Sequence, residues 1–308
     1  MSNYSASKSN GPNTDTAGAT GKPAAEKHTG RIGRKFRQLA DAGELGLIGY
    51  ITAGDPSLEA SAKIVLAAAD AGADIIELGV PFSDPVADGP VIQRASERAL
   101  RGGTTLAGVL ELVHRLRTQT EMPLVLFSYF NPMLQMGLEK FAEAAASAGA
   151  DGVLVTDLTP EEAGDYRAAL RPRGLDSIFL AAPTSTDERL SRIAEASTGF
   201  LYLVSRTGVT GTRDILPEGL PALARRVRKF TSLPIAVGFG ISAPSHVSVL
   251  GGIADAAVVG SALMAEVERA TSAEAAATGV GVLVRTLKSA ARSGLSRRSN
   301  PLENPLAE

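Results

Sequence analysis

The segment 77–90 joins a glutamate at the end of an apolar run to a loop that is rich in proline and glycine and carries two aspartates. Glu77 follows two isoleucines, a pattern typical of a buried strand, so its carboxyl group is expected to be partly removed from water. Burial raises the pKa of a carboxyl group toward the working pH, which suits a residue that must both give and take protons. The segment therefore predicts acid–base chemistry at Glu77, with a structural ion pair to a neighbouring Arg or Lys as the alternative.

The two loop aspartates, Asp84 and Asp88, have an ordinary structural interpretation as well. Asp84 precedes a proline and Asp88 precedes a glycine, and both pairs are common in turns. Taken singly, each aspartate is more typical of a turn than of a catalytic group. A carboxylate at a strand tip beside a carboxylate-bearing loop is nevertheless a layout for acid–base chemistry.

Two further turns carry paired glycines after apolar, strand-like runs. The first contains Phe239 between two glycines, the second of which is Gly240, and the other turn contains Gly260 followed by Ser261. Glycine lets backbone N–H groups approach an anion closely, and a helix beginning at Ser261 would aim its N-terminus at that anion. The pair predicts a phosphate site, and two tight strand-to-helix turns are the structural alternative.

A longer stretch, 205–213, places two glycines and two arginines among small hydroxylated residues, including Thr210 and Gly211. Such a composition predicts a flap that closes over a ligand and excludes water. A plain surface loop is the alternative.

Several aromatic and leucine side chains fall at or near strand ends and could line an apolar, ring-shaped pocket opposite the phosphate. Packing in the protein core is the alternative for most of them. Together with the carboxyl groups and the glycine turns they predict a phosphorylated substrate with an apolar or aromatic part, for isomerisation, aldol-type cleavage or elimination. The pocket candidates are Tyr50, Leu126, Tyr129, Leu154, Tyr202 and Phe239.

These residues are positioned by short apolar runs that alternate with Ala-rich helical segments. Eight such alternations over about 260 residues predict one (β/α)8 barrel, with a doubly wound open sheet as the alternative. In either architecture, ligands bind at the carboxyl ends of the strands, where the candidate residues lie. The predicted strands are 47–52, 74–78, 123–128, 152–156, 177–181, 200–204, 234–238 and 255–259.

Composition narrows the class of protein. The chain has 308 residues, 44% hydrophobic, with a net charge of −2, which gives no reason to expect binding to nucleic acid or to an anionic membrane. The absence of Cys and the scatter of three His predict no metal site, and no apolar run approaches the roughly 20 residues of a membrane span. We expect a cytoplasmic protein with a disordered extension at 1–30, a barrel domain at 31–292 and a disordered tail at 293–308.

In order and spacing, residues 31–270 resemble the tryptophan synthase alpha subunit family. The resemblance rests on segment 77–90, the 205–211 loop, the two glycine turns and the Tyr-Phe-Asn-Pro run that begins at Tyr129. It implies a TIM barrel with an extra N-terminal helix, here 31–43. It also implies retro-aldol cleavage of indole-3-glycerol phosphate to indole and glyceraldehyde 3-phosphate, in the last step of L-tryptophan biosynthesis.

The resemblance also implies roles for individual residues. Glu77 matches the catalytic glutamate that moves protons between the glycerol hydroxyl and indole C3, and Asp88 matches the aspartate that holds the indole N–H. Tyr202 matches a tyrosine near that glutamate, and Thr210 matches the flap threonine that pairs with the loop aspartate. Tyr50 stands where phenylalanine is common. Phosphate contacts are implied for Gly211, Gly240, Gly260 and Ser261, and indole contacts for Tyr50, Leu154 and Phe239.

The family pairs with a beta subunit that carries pyridoxal phosphate, in an α2β2 complex to which indole passes through a tunnel. Segments 77–90 and 129–137 would form that interface, and no cofactor is expected in this chain. Two alternatives stay open: a barrel that only activates the beta subunit, and a lyase that releases free indole with no partner.

Overall fold

The computed structural model describes residues 30–204, 219–238 and 240–296, and in this part of the chain parallel strands form a single sheet. Hydrogen bonding joins the strands in the order β5-β4-β3-β2-β1-β9-β8-β7-β6. The strands are β1 Gly46–Thr52, β2 Ile75–Gly79, β3 Leu124–Ser128, β4 Gly152–Val155, β5 Asp176–Ile178, β6 Leu180–Ala181, β7 Leu201–Val204, β8 Ile235–Gly238 and β9 Ala256–Val259.

The fifth predicted strand, 177–181, is divided in the structure. Its first half, β5, pairs with β4, and its second half, β6, pairs with β7. Phe179 lies between the halves, and its carbonyl accepts a hydrogen bond from the N–H of Tyr202 at 3.1 Å. One continuous segment therefore closes the sheet, which confirms the barrel and excludes the open sheet.

Helices surround the barrel and follow most strands. They are α1 Arg31–Asp41, α2 Leu58–Asp70, α3 Pro90–Arg101, α4 Leu106–Arg117, α5 Phe130–Met136, α6 Leu138–Ala148, α7 Gly164–Leu170, α8 Asp187–Ala196, α9 Leu220–Arg228, α10 Pro244–Leu250, α11 Ser261–Arg269 and α12 Ala273–Ser296, with a 3-10 helix at Arg171–Arg173.

Capping side chains set several helix starts. Ser57 caps α2 and Thr186 caps α8, each accepting a hydrogen bond from a backbone N–H three residues on. Thr105 caps α4 in the same way, and the adjacent Thr104 has a different role. Thr104 is buried against Gly54, where an added Cβ would lie 1.9 Å from the threonine hydroxyl. Its side chain therefore packs under the β1–α2 loop.

Helix α1 covers the amino ends of the strands. Ile32, Phe36 and Leu39 are buried, and the Phe36 ring meets that of Phe200 with centroids 5.8 Å apart. This is the extra N-terminal helix that the family resemblance implied. The last helix continues to Ser296, past the predicted domain boundary at 292.

The predicted extension, apart from Gly30, and the predicted tail beyond 296 lie outside the described residues. Within the described ranges, the helices are too short or too polar to cross a lipid bilayer.

Candidate active site

The strand register brings the candidate residues to one end of the barrel. Tyr50 lies beside Glu77 across the β1–β2 pair, and Glu77 lies beside Val125 across the β2–β3 pair. Residues paired in this way point to the same face of a sheet, here the barrel interior. A cavity opens at the carboxyl ends of the strands. Its lining comprises Tyr50, Glu77, Asp88, Ile92, Phe127, Tyr202, Gly240, Ile241, Ser242, Val258, Gly260, Ser261 and Ala262.

This cavity is narrow. Its volume is about 50 Å³, whereas ligand sites are typically roughly 300–1,000 Å³.

Glu77 is fully buried and lines the cavity. Neither of its carboxyl oxygens has a hydrogen-bond partner among the described residues, so the expected structural alternative, an ion pair with Arg or Lys, is not found there. Burial raises the pKa of Glu77 to about 8. Because water is removed and no cation compensates, the group is protonated at neutral pH and can act as an acid.

Asp88 lies in the loop between β2 and α3 and is also buried. Its carboxylate accepts a hydrogen bond from the Tyr129 hydroxyl at 3.1 Å, and the same hydroxyl accepts one from the N–H of Ala87 at 2.9 Å. Burial raises the pKa of Asp88 to about 6, and the bond from Tyr129 opposes that rise. Tyr129, stacked on Phe82 with centroids 5.0 Å apart, thus holds the loop against the barrel.

Asp84 behaves differently from Asp88. It is exposed, and its carboxylate accepts a hydrogen bond from the adjacent Ser83 hydroxyl at 2.5 Å. The two loop aspartates therefore separate into an external one and one that faces the cavity.

Two tyrosines lean over glycines of neighbouring strands at the cavity mouth. A Cβ added to Gly79 would lie 2.1 Å from the Tyr50 hydroxyl, and one added to Gly238 would lie 2.0 Å from the Tyr202 hydroxyl. Glycine is required at both positions because the phenol rings occupy that space. Burial raises the pKa of both tyrosines well above the ordinary value, so they remain neutral. The Tyr50 ring also meets the Phe127 ring edge-on, with centroids 5.1 Å apart.

The two glycine turns meet at the cavity. Helix α11 begins at Ser261, as the sequence predicted, and no side chain caps it at Gly260. Its first N–H groups therefore remain available to an anion. Gly240 adopts a φ of +84°, a conformation that favours glycine, and follows β8 on the same rim. The turns and the helix start can together hold a phosphate group.

Three of the predicted pocket residues do not line the cavity. The register pairs Leu126 with Leu78, on the face that points away from the barrel interior, and the adjacent Phe127 lines the cavity instead. Leu154 pairs with Phe127 on the interior face but is buried outside the lining. Tyr129 acts on the cavity through Asp88. The predicted residues Thr210, Gly211 and Phe239 lie outside the described residues.

Phe127 and Ile92 were missed by inspection of the sequence. Strand alternation from Glu77 across the β2–β3 pair would have identified Phe127, because Gly79 and Phe127 are register partners. Ile92 lies in the first turn of α3, directly after the Asp88 loop, and no strand pattern reveals it.

The arrangement combines an acid, an acceptor and an anion site around one apolar cavity. Glu77 holds a proton at neutral pH, Asp88 is mostly ionised there, and the α11 turn offers N–H donors. These are the parts needed to move a proton to and from a phosphorylated ligand with an apolar ring.

Comparison with known proteins gives consistent matches over most of the chain. The family model described as "Tryptophan synthase alpha chain" matches residues 36–292. The tryptophan synthase alpha chain of Solibacter usitatus is 54% identical over 247 residues, covering 80% of this chain and 92% of that one. That of Citrifermentans bemidjiense is 50% identical over 244 residues, covering 79% and 91%.

Solved structures agree. The chain superposes on a structure of Mycobacterium tuberculosis tryptophan synthase with a TM-score of 0.79 and 37% identity, covering 85% of this chain and 98% of that one. A crystal structure of the alpha chain from Legionella pneumophila gives a TM-score of 0.79 and 36% identity, covering 86% and 98%.

Proposed function

The chain belongs to the tryptophan synthase alpha chain family, and we propose that Glu77 and Asp88 carry its carbon–carbon lyase chemistry. The reaction cleaves indole-3-glycerol phosphate to indole and D-glyceraldehyde 3-phosphate, and indole passes to a beta subunit for condensation with L-serine. The observation that carries the assignment of roles is a buried, unpartnered Glu77 in a cavity that also holds Asp88 and the α11 turn.

The first step is proton transfer to the indole ring. The protonated Glu77 gives its proton to indole C3, which turns the ring into an electron sink. A well-placed acid of this kind contributes on the order of 10²–10⁴ in rate. The raised pKa of Glu77 supplies the proton at neutral pH.

The second step breaks the bond between indole C3 and the glycerol carbon. The Glu77 carboxylate takes the proton of the hydroxyl on that carbon, an aldehyde forms, and the bonding electron pair returns to the indole ring. The glutamic acid is restored, and indole keeps the proton received at C3. Glu77 therefore begins and ends the cycle protonated.

Asp88 stabilises the intermediate by accepting the indole N–H, whose positive charge grows when C3 is protonated. An ionised carboxylate serves this role, and the pKa of about 6 leaves Asp88 mostly ionised at neutral pH. The Tyr129 hydroxyl orients it.

The remaining contacts divide between the two ends of the substrate. The α11 turn with Gly240 binds the phosphate. Gly211 and Thr210, which lie outside the described residues, are assigned by the family resemblance to the phosphate and to Asp88, respectively. We place the indole among apolar side chains in which Phe127 replaces the initially chosen Leu126, with Leu154 packed behind the cavity lining. These are Tyr50, Phe127, Leu154, Tyr202 and Phe239.

The partner is a beta subunit, and we assign the assembly the α2β2 stoichiometry, with pyridoxal phosphate on the partner and none in this chain. Two large apolar side chains are exposed near the cavity, Val86 in the Asp88 loop and Leu134 in α5, at 77% and 52%. Both fall in the segments expected to contact the partner, 77–90 and 129–137. We place the complex in the cytoplasm.

The function is tested with the purified chain and indole-3-glycerol phosphate, with indole and glyceraldehyde 3-phosphate measured together. We expect equal amounts of both products, and faster release when a beta subunit is added. Size-exclusion chromatography with the beta subunit reports the stoichiometry. No indole release in either condition would contradict the assignment, and release unaffected by the beta subunit would favour a lyase without a partner.

A further inference from the structure

Four charged side chains outside the cavity form one connected network. The Arg98 guanidinium donates from Nε and Nη2 to the two carboxylate oxygens of Asp55, both at 2.8 Å, and from Nη1 to Glu268 at 2.8 Å. Arg94 donates to both oxygens of Glu268 at 2.7 and 2.8 Å. The Asp55 side chain is only 1% exposed, so its charge depends on Arg98 for compensation.

Each member belongs to an element that supplies a wall of the cavity. Asp55 lies three residues after the end of β1, which carries Tyr50. Arg94 and Arg98 lie on α3, whose first residue follows Asp88 by two positions. Glu268 lies on α11, whose first turn is the anion site.

The same two helices also meet at the cavity itself. Ile92 of α3 comes within 3.6 Å of the position that a Cβ on Gly260 would occupy. Helices α3 and α11 are therefore joined on the inside by an apolar contact and on the outside by a bidentate contact from Arg94 and a single hydrogen bond from Arg98, both to Glu268. Bidentate contacts fix relative orientation as well as distance.

We propose that the network formed by Asp55, Arg94, Arg98 and Glu268 is a positioning device that fixes Asp88 relative to the phosphate-binding turn. The inference rests on the proposed function and names residues that act on its site without touching the substrate. A substrate held at both ends requires the distance between Asp88 and the turn to be correct, since small displacements of a bound group cost rate. Binding of a ligand that occupies the phosphate site alone does not depend on the distance between Asp88 and the turn.

Glu268, which joins the two arginines, keeps its charge over the working pH range. The hydrogen bonds from Arg94 are the main cause that lowers the pKa of Glu268 to about 2. If disrupting the network changes the pH dependence of cleavage, that change therefore arises from titratable groups in the cavity. A matched control lies on α3 itself, where Glu97 pairs with Arg101 of the same helix at the exposed surface.

The experiment compares Glu268→Gln with Glu97→Gln in wild-type and Asp88→Asn backgrounds. Steady-state cleavage of indole-3-glycerol phosphate is measured alongside the Kd of glycerol 3-phosphate, which probes the phosphate site alone. We expect Glu268→Gln to lower kcat/KM about tenfold and to leave that Kd within about twofold, and to have no further effect once Asp88 is Asn, as coupled residues do. Glu97→Gln should change nothing.

The outcomes test the positioning role of the network separately from the proposed lyase function. An equal loss in both backgrounds, an equal weakening of glycerol 3-phosphate binding, or no loss at all would overturn the positioning role. If Glu268→Gln does not fold, Arg94→Gln removes the bidentate part of the same link and leaves Arg98 on Asp55 and on Glu268, and the same pattern of effects is expected at smaller size. A wild-type chain without lyase activity would overturn the proposed function and this inference with it, whereas an active wild type with an unaffected Glu268→Gln rejects the network alone.

Discussion

Two buried carboxyl groups of one strand segment, Asp74 and Glu77, lie at opposite ends of the barrel and have opposite surroundings. Asp74 and Glu77 are three residues apart in one strand segment, and both are buried. At the amino end, Asp74 accepts hydrogen bonds from the Leu47 N–H at 2.8 Å and from Lys288 at 2.7 Å. At the carboxyl end, Glu77 has no partner among the described residues.

The arrangement at Asp74 recurs at two other strands of the amino end. Asp151 pairs with Arg117 and Asp255 with Arg228, and each carboxylate also accepts the N–H of the first residue of a neighbouring strand. The difference teaches how one fold separates two tasks. Carboxylates that join strands are given cations and N–H donors, whereas the carboxyl group reserved for chemistry is left without either and so retains its proton.

Removing the acid at the carboxyl end should have the largest effect. We expect Glu77→Gln to lower kcat for indole formation by about 10²–10⁴-fold, because the amide cannot give or take the proton. Thermal unfolding at pH 7 should show no loss of stability, since no hydrogen bond of the carboxyl group is broken. Ordinary turnover in this variant would show that the acid lies elsewhere.

Breaking a pair at the amino end should instead cost stability. Lys288→Met removes the cation 2.7 Å from Asp74 and leaves the more distant Lys35 at 4.0 Å. We expect the free energy of unfolding to fall by about 3 kcal/mol with kcat unchanged. Denaturant titration measures the free energy of unfolding, and steady-state kinetics of the folded variant measure kcat. Lys63→Met is the control, because its pair with Glu274 is exposed and should be worth less than about 1 kcal/mol. A fall in kcat with little loss of stability would erase the contrast between the ends.

The raised pKa of Glu77 also predicts a dependence of stability on pH. Its folded-state pKa of about 8 exceeds the ordinary value of 4.5, so the folded state holds the proton more tightly than the unfolded state. Wild-type stability relative to Glu77→Gln should therefore fall as the pH rises from about 5 to 8, by roughly 3–4 kcal/mol, and level off above that. Denaturation curves of wild type and Glu77→Gln across this pH range measure the difference in stability. A difference that does not change with pH would contradict the prediction.

Removing the Tyr129 hydroxyl should have a smaller effect on activity and tests how this residue acts on Asp88. Its hydroxyl lowers the pKa of Asp88, so Tyr129→Phe should raise that pKa above about 6. The acid limb of the kcat/KM profile should move to higher pH, with a loss of about two- to tenfold near pH 6 and less at pH 8, as expected for one hydrogen bond. If the acid limb of the kcat/KM profile does not move, Asp88 is not the group that determines it.

The sequence was sufficient for the barrel because glycines and apolar runs mark the strand-to-helix alternation locally. It could not show that Phe179 divides the fifth strand, since that division follows from closing the sheet between two distant neighbours. The position of Glu77 was readable, but its lack of a partner depends on which cations reach it in space. Leu126 was chosen where Phe127 lines the cavity, an error of one residue that reverses the face of a strand.

The central contrast is tested most directly by titrating the Glu77 carboxyl carbon by NMR in protein labelled at glutamate, with Glu77→Gln used to assign the resonance. The unpartnered, buried group should titrate with a midpoint near pH 8. A midpoint near 4.5, the value of an ordinary glutamate, would contradict the account, because Glu77 would then be ionised at neutral pH and have no proton to give.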